Sequence, residues 1–264
     1  MPRRMLPGMS EEENKTMKVI LCGYCGHMGQ EVRASAERMA DVEIALGVDP
    51  NMPEGTEGCV RSFSECDAAA DVLVDFSHHS MTKALTDFAR RRKLPLVLAT
   101  TGQTEEEKQL IRETAEEIPL FLAANYSLGI ATLTDLIQRA LMVYPEAEVE
   151  IVEAHHDRKL DAPSGTALAL FDAVRQVRPE AVAHPGRSGQ GKRTPEEVGI
   201  ASLRMGNVVG MHEVMIVTRT ETLTLKHEAA SRGVFADGAL KAAIFLAGKK
   251  PGLYDMKDLL RAEE

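Results

Sequence analysis

Two stretches of this 264-residue chain hold side chains whose types and spacing can do chemistry. The first is Glu153-Ala-His155-His156-Asp-Arg-Lys159-Leu-Asp161-Ala-Pro163-Ser164-Gly165-Thr166. His155 and Lys159 are candidate proton carriers, because burial and neighbouring charge move either pKa toward neutrality. Behind Pro163, the free amides of a helix start at Ser164, Gly165 and Thr166, with two hydroxyls, make a carboxylate-sized anion site. His156 and Lys159 add positive charge to it. A Ser-His-Asp hydrolase fits poorly, since the chain has no G-x-S-x-G elbow.

The second stretch is Gly23-Tyr24-Cys25-Gly26-His27-Met28-Gly29, a G-x-x-G-x-x-G turn directly after an apolar run and directly before a helical pattern. Amides and the positive end of a helix dipole there suit a diphosphate, which side chains would obstruct. Asp49 closes the next apolar run, where an acid accepts the ribose hydroxyls of NAD. Cys22 and Cys25 form a C-x-x-C on the same residues. A redox dithiol has no need of three glycines, however, and Cys59 and Cys66 complete no plausible zinc set. No metal is expected.

These residues need elements to hold them. Strands are expected over 18–23, 42–49, 70–77, 94–100 and 119–125, with helices over 28–40, 81–92 and 104–117, the last opened by a Thr104/Glu107 capping box. Short apolar runs alternating with helices imply a Rossmann-type, doubly wound parallel sheet, an α/β fold. From about residue 126 the pattern changes. A helix over 129–143, a strand over 147–155, a helix over 164–177, a long loop over 184–196 and three strand-like runs (198–205, 209–218, 221–227) imply a second, α+β domain on a mixed or antiparallel sheet. A helix over 237–248 and the segment 252–260 return to the first domain. The expected division is a loose tail over 1–16, a dinucleotide-binding domain over 17–127 plus 236–264, and a substrate-binding and oligomerisation domain over 128–235. Closure would hinge near 126–129 and 231–236.

Composition removes whole classes. Forty acidic against 31 basic residues give a net charge of -9, against nucleic-acid binding. The absence of Trp and an aromatic share of 4% argue against base-stacking platforms. Four cysteines are too few for a disulfide framework. No apolar run approaches the roughly 20 residues that span a bilayer, and no signal-peptide pattern opens the chain, so a cytoplasmic protein is expected.

The stretch 153–168 resembles the E-A-H-H-x-x-K-x-D-A-P-S-G-T-A signature of the dihydrodipicolinate (4-hydroxy-tetrahydrodipicolinate) reductases. The G-x-x-G-x-M-G turn, Val74-Asp-Phe-Ser77, Ala99-Thr-Thr-Gly102 and Ala123-Ala-Asn-Tyr-Ser127 fall in that family's order. The resemblance runs from about residue 17 to 260. It implies that Gly23, Tyr24, Cys25, Gly26, His27 and Met28 hold the cofactor pyrophosphate and Asp49 the adenosine ribose. Ala99, Thr100 and Thr101, with Ala123, Ala124, Asn125 and Tyr126, would line the nicotinamide. His155 would give or take a proton and Lys159 donate one, while His156, Gly165 and Thr166 bind the carboxylates of a cyclic dicarboxylate substrate. It also implies a homotetramer and a place in the diaminopimelate route to lysine. NADPH users of this family tend to carry Arg after the ribose-binding acid. Here Pro50 follows Asp49, so NADH is expected to be preferred, with NADPH possible. Two other readings are a different two-domain dehydrogenase and an NAD-binding sensor without turnover; the 155–166 cluster speaks against both.

Overall fold

A computed structural model describes residues 16–263; all but the last residue of the expected N-terminal tail lies outside them. The chain divides into two compact units, one running up to Ala124 and resuming over Ala236–Leu259, the other built on Asn125–Phe235.

The first unit carries seven strands: β1 (Met17–Cys22), β2 (Val42–Val48), β3 (Cys59–Val60), β4 (Val72–Asp75), β5 (Leu96–Leu98), β6 (Pro119–Leu122) and β12 (Gly252–Tyr254). They pair in the order β12-β6-β5-β4-β1-β2-β3, every pairing parallel. Val19 to Cys22 are fully buried, which explains why β1 is written as an unbroken apolar run rather than an alternation. Between the strands run α1 (His27–Arg38), α2 (Thr82–Arg92) and α3 (Glu105–Ala115). Arg90, Arg91 and Arg92 occupy the last turn of α2, where cations suit the dipole. Both halves of the Thr104/Glu107 capping box are made.

The second unit holds α4 (Leu128–Val143), α5 (Gly165–Val177) and strands β7 (Glu148–His155), β8 (Val182–Pro185), β9 (Glu197–Arg204), β10 (Gly210–Val217) and β11 (Thr222–Ala229). The order is β11-β10-β7-β9-β8. β10 is antiparallel to β7 and β11, whereas β9 is parallel to β7 and β8, so the sheet is mixed. Val149, Ile151, Val198, Ile200, Val214 and Ile216 pack with Ile137, Leu141, Leu170 and Val174 of α4 and α5 in one core.

Three local expectations change. The 184–196 loop begins inside β8, whose Ala183 and His184 pair with Val198 and Gly199. The two-residue strand β3 is too short to leave a pattern. Helix α6 (Gly233–Leu246) starts before residue 237. Its opening amide at Gly233 is held by Ser231 Oγ at 3.2 Å. Asp237, a residue type that favours caps, lies inside the helix and takes Ser35 Oγ and, at 3.2 Å, Arg38. The last helix is α7 (Met256–Glu263).

Candidate active site

Strand register assembles the first candidate site. Glu153 on β7 stands opposite Ser202 on β9 and His212 on β10, and His212 stands opposite His227 on β11. Ser202, Glu153, His212 and His227 therefore form a polar row across four strands, next to the apolar row of Ile151, Ile200 and Val214. The row is tied to the starts of both helices. His212 Nε2 lies 3.2 Å from Ser164 Oγ, whose oxygen also accepts the Ala167 amide at 3.2 Å as the N-cap of α5. His227 Nε2 lies 3.2 Å from Ser127 Oγ, the N-cap of α4.

Glu153 is completely buried. Its carboxylate takes the Ser164 amide at 3.1 Å, both terminal nitrogens of Arg204 at 2.8 and 2.9 Å, and His155 Nδ1 at 2.6 Å. Burial alone would raise its pKa. Hydrogen bonds from Arg204, Ser202, His155 and the Ser164 amide outweigh burial and hold it down to about 2. The His155 ring meets His212 edge to face, centroids 5.1 Å apart. Burial first, then the neighbouring His155, push His212 down to about 4, so it is neutral near pH 7.

Beyond the strand end, Lys159 Nζ bonds Asp161 Oδ1 at 2.8 Å, which holds the Asp161 carboxyl below its usual range. Burial lowers the pKa of His156, followed by the positive charges of Arg158 and Arg232. Its Nδ1 is buried without a hydrogen-bond partner among the described residues. Gly165 is exposed and Thr166 half-buried at the start of α5. Thr166 Oγ1 accepts Asn125 Nδ2 at 3.0 Å, while Asn125 Oδ1 takes the Ser127 amide at 2.8 Å. Ser164 departs from expectation: it is buried, and its hydroxyl is committed to the cap and to His212. Of the expected substrate contacts, the structure leaves Gly165 exposed and His156 and Thr166 half-buried, and buries Ser164. A cavity of about 900 Å³ lies at the far end of this sheet, among Tyr144, Glu148, Arg178 and Arg193, and holds none of these residues.

The glycine turn lies in the other unit. Gly23 has φ of +81°, and a Cβ there would sit 2.5 Å from the Phe76 carbonyl oxygen. A Cβ at Gly29 would sit 2.1 Å from the Gly23 carbonyl oxygen, so α1 packs on the turn backbone to backbone. Gly26 is the N-cap of α1 and supplies no side-chain bond, unlike the capped starts of α3, α4 and α5. The first-turn amides at His27, Met28 and Gly29 thus lack an intrahelical acceptor. Such a turn fits a dinucleotide diphosphate.

Asp49 takes the Cys25 amide on Oδ2 and the Asn51 amide on Oδ1, both at 2.9 Å, and so fixes the turn. Tyr24 lies with its ring against Gly47 and under the Arg33 guanidinium, 4.4 Å from the ring centroid. Thr100 Oγ1 donates to the buried Asp75 at 2.6 Å, and Thr101 is exposed. Ala123 is half-buried and Ala124 exposed, while Tyr126 is buried. Cys22 is fully buried, and burial followed by Asp75 raises its thiol well above the usual range, which makes it a poor redox partner for Cys25.

Sequence reasoning passed over four residues: Glu153 as a working group, Arg204, His212 and Arg232. Glu153 was legible, being the only acid embedded in the core-facing half of a strand next to His155. The others come from distant segments and carry no local pattern.

Two family models match. Residues 129–260 fit "Dihydrodipicolinate reductase, C-terminus" and residues 17–126 fit "Dihydrodipicolinate reductase, N-terminus". The chain is 43% identical over 247 residues to 4-hydroxy-tetrahydrodipicolinate reductase of Caldanaerobacter subterraneus subsp. tengcongensis, covering 93% of this chain and 98% of that one. It is 40% identical to the enzyme of that name from Clostridium tetani, covering 93% and 98%. The fold is similar to that of dipicolinate-bound dihydrodipicolinate reductase from Paenisporosarcina sp. TG-14, with a TM-score of 0.77 at 23% identity, covering 92% of this chain and 99% of that chain. With both halves matched in order, the chain belongs to the dihydrodipicolinate reductase family.

Proposed function

We propose that this chain reduces 4-hydroxy-tetrahydrodipicolinate to tetrahydrodipicolinate in the diaminopimelate route to lysine, with NADH preferred and NADPH usable. Family membership makes it a pyridine-nucleotide-dependent oxidoreductase. When bound, the reduced nicotinamide supplies the hydride, as the substrate hydroxyl leaves as water.

The rest falls to the chain's own residues. The bare first turn of α1 receives the diphosphate, and Asp49 orders the turn and meets the ribose. Backbone around Ala99, Thr100, Thr101 and Ala123 to Tyr126 lines the nicotinamide. His156, Gly165 and Thr166 bind the substrate carboxylates, aided by Arg158 and Arg232. His155 and Lys159 move the protons that complete the reduction. The observation that carries this reading is the unpartnered, buried Nδ1 of His156 among Lys159, Arg158 and Arg232. A buried polar atom left without a partner, with Arg158, Arg232 and Lys159 close enough to lower its pKa, suits an anionic ligand.

The nucleotide preference rests on Asp49 and Pro50. A 2′-phosphate meets carboxylate repulsion there, although Arg61, which donates to the Pro50 carbonyl at 3.4 Å, supplies a guanidinium near enough to admit NADPH. Steady-state kinetics of the wild type and Lys159→Ala with both nucleotides test the whole scheme. The expected result is a kcat/KM about 10-fold or more higher with NADH, and a kcat lowered about 100-fold or more in the variant with nucleotide affinity kept. Equal kcat/KM for the two nucleotides refutes the preference. An undiminished kcat in the variant refutes the role of Lys159. A cytoplasmic homotetramer completes the proposal.

A further inference from the structure

The hydrogen bonds on Glu153 fix more than its own charge. Two donors meet Oε1, the Ser164 amide and Arg204 Nη2. Two meet Oε2, Arg204 Nη1 and His155 Nδ1. An ionised carboxylate accepts at about four lone-pair sites and donates at none. The amide and the guanidinium can only donate and, with Ser202, hold the carboxylate ionised, so it has no proton to offer and the contact with His155 requires a proton on Nδ1. The ring is held at 2.6 Å by this bond and laid against His212. The neutral imidazole then has its lone pair on Nε2. That atom faces Gly210: a Cβ there would lie 3.2 Å from it.

We propose that Glu153, pinned by Arg204 and the Ser164 amide, is a positioning residue that keeps the His155 proton on Nδ1, leaving Nε2 beside bare Gly210 as the atom through which His155 exchanges protons. The inference deepens the role given to His155 above and rests on it. Nε2 takes up a proton from water to give an imidazolium whose Nδ1–H remains on Glu153, then delivers that proton to the reacting molecule. The buried negative charge of Glu153 is in place before the imidazolium forms, so no rearrangement is needed at that moment. His212, kept neutral by burial, adds no competing positive charge at the ring edge.

The test pairs spectroscopy with kinetics on the full chain. Nitrogen-15 spectra of histidine-labelled wild type, taken with His155 neutral and assigned by loss of the signal in His155→Gln, read the tautomer directly. Protonated Nδ1 and bare Nε2 are expected. In Glu153→Gln the accepting charge is gone, and the spectrum should show mixed tautomers. Its kcat should fall about 10- to 100-fold while KM for the dicarboxylate and Kd for NADH stay within about 2-fold. Gly210→Ala, which leaves Glu153 and Arg204 untouched, should lower kcat as well, and it stands in if the Gln variant does not fold. A proton on Nε2 in the wild type overturns the proposal, as does an unchanged kcat in folded Glu153→Gln. His155→Gln separates the two readings. If it turns over like the wild type, His155 carries no proton and both fall; if it is impaired while Glu153→Gln is not, only the positioning role falls.

Discussion

At the scale of single residues, His212 and Glu153 of the polar row are both held below their ordinary pKa, the histidine by burial and the acid by hydrogen bonds that outweigh burial. His212 keeps its proton off in the folded protein down to about pH 4, against an ordinary 6.5. Between those values the unfolded chain binds more protons, so stability falls as pH drops from 6.5 to 4 and is unaffected by this group above that window. Glu153 acts lower, its contribution present above the ordinary 4.5 and lost as pH falls toward 2. His212→Gln puts an amide in place of the imidazole near Ser164 and removes the first effect. Its denaturant midpoint should change less between pH 6.5 and 4 than that of the wild type, by up to about 3 kcal/mol when converted to stability. Parallel pH dependences for the two proteins would show that His212 does not titrate as its burial requires. The residue scale also marks where a linear reading ends. His155, His156 and Lys159 announce themselves by type and spacing. Arg204 and His212 are a lone Arg and a lone His, and only the register of β7 with β9 and β10 makes them neighbours of Glu153.

At the scale of elements, glycine spacing was legible because Gly23 and Gly29 answer contacts that no side chain could share. Gly29 is buried in the first full turn of α1, against the carbonyls of Gly23 and Tyr24. Gly29→Ala should cost about 1–3 kcal/mol, the range for overpacking a site that cannot give. It should also weaken NADH binding measured by calorimetry, because the helix must back away from the turn proposed to receive the diphosphate. Unaltered stability and affinity would mean that α1 is not seated as described. Parallel strands and capped helices were equally readable, from unbroken apolar runs and from Thr104 with Glu107. The early start of α6 was not, because Asp237 resembles a cap while its carboxylate serves Ser35 and Arg38. The basic residues of the 184–196 loop were open in function. Arg193 spends its guanidinium on Glu150 and on the Val149 and Glu197 carbonyls, and Arg187 pairs with Glu197, so both tie the loop to the sheet.

At the scale of the molecule, the face of the second sheet turned away from α4 and α5 carries Val152, Leu203, Met211 and Met215, with Leu203 41% exposed. Strand alternation puts these residues opposite the buried set of Val149, Ile151 and Val214. Such a face supports the proposed tetramer, since exposed apolar patches mark association sites. Light scattering should give the mass of four chains, and Leu203→Glu should lower it; four chains persisting in the variant would place the interface elsewhere. Arg204 has a reach wider than its one ion pair. It holds Glu153, and through it His155, while its Nη2 also donates to the Asp161 carbonyl at 2.5 Å, next to the carboxylate that grips Lys159. Both proposed acid-base groups therefore hang from one guanidinium, in parallel rather than in series. A lineage could exchange either group and keep the geometry of the other, but losing this arginine would slacken both at once.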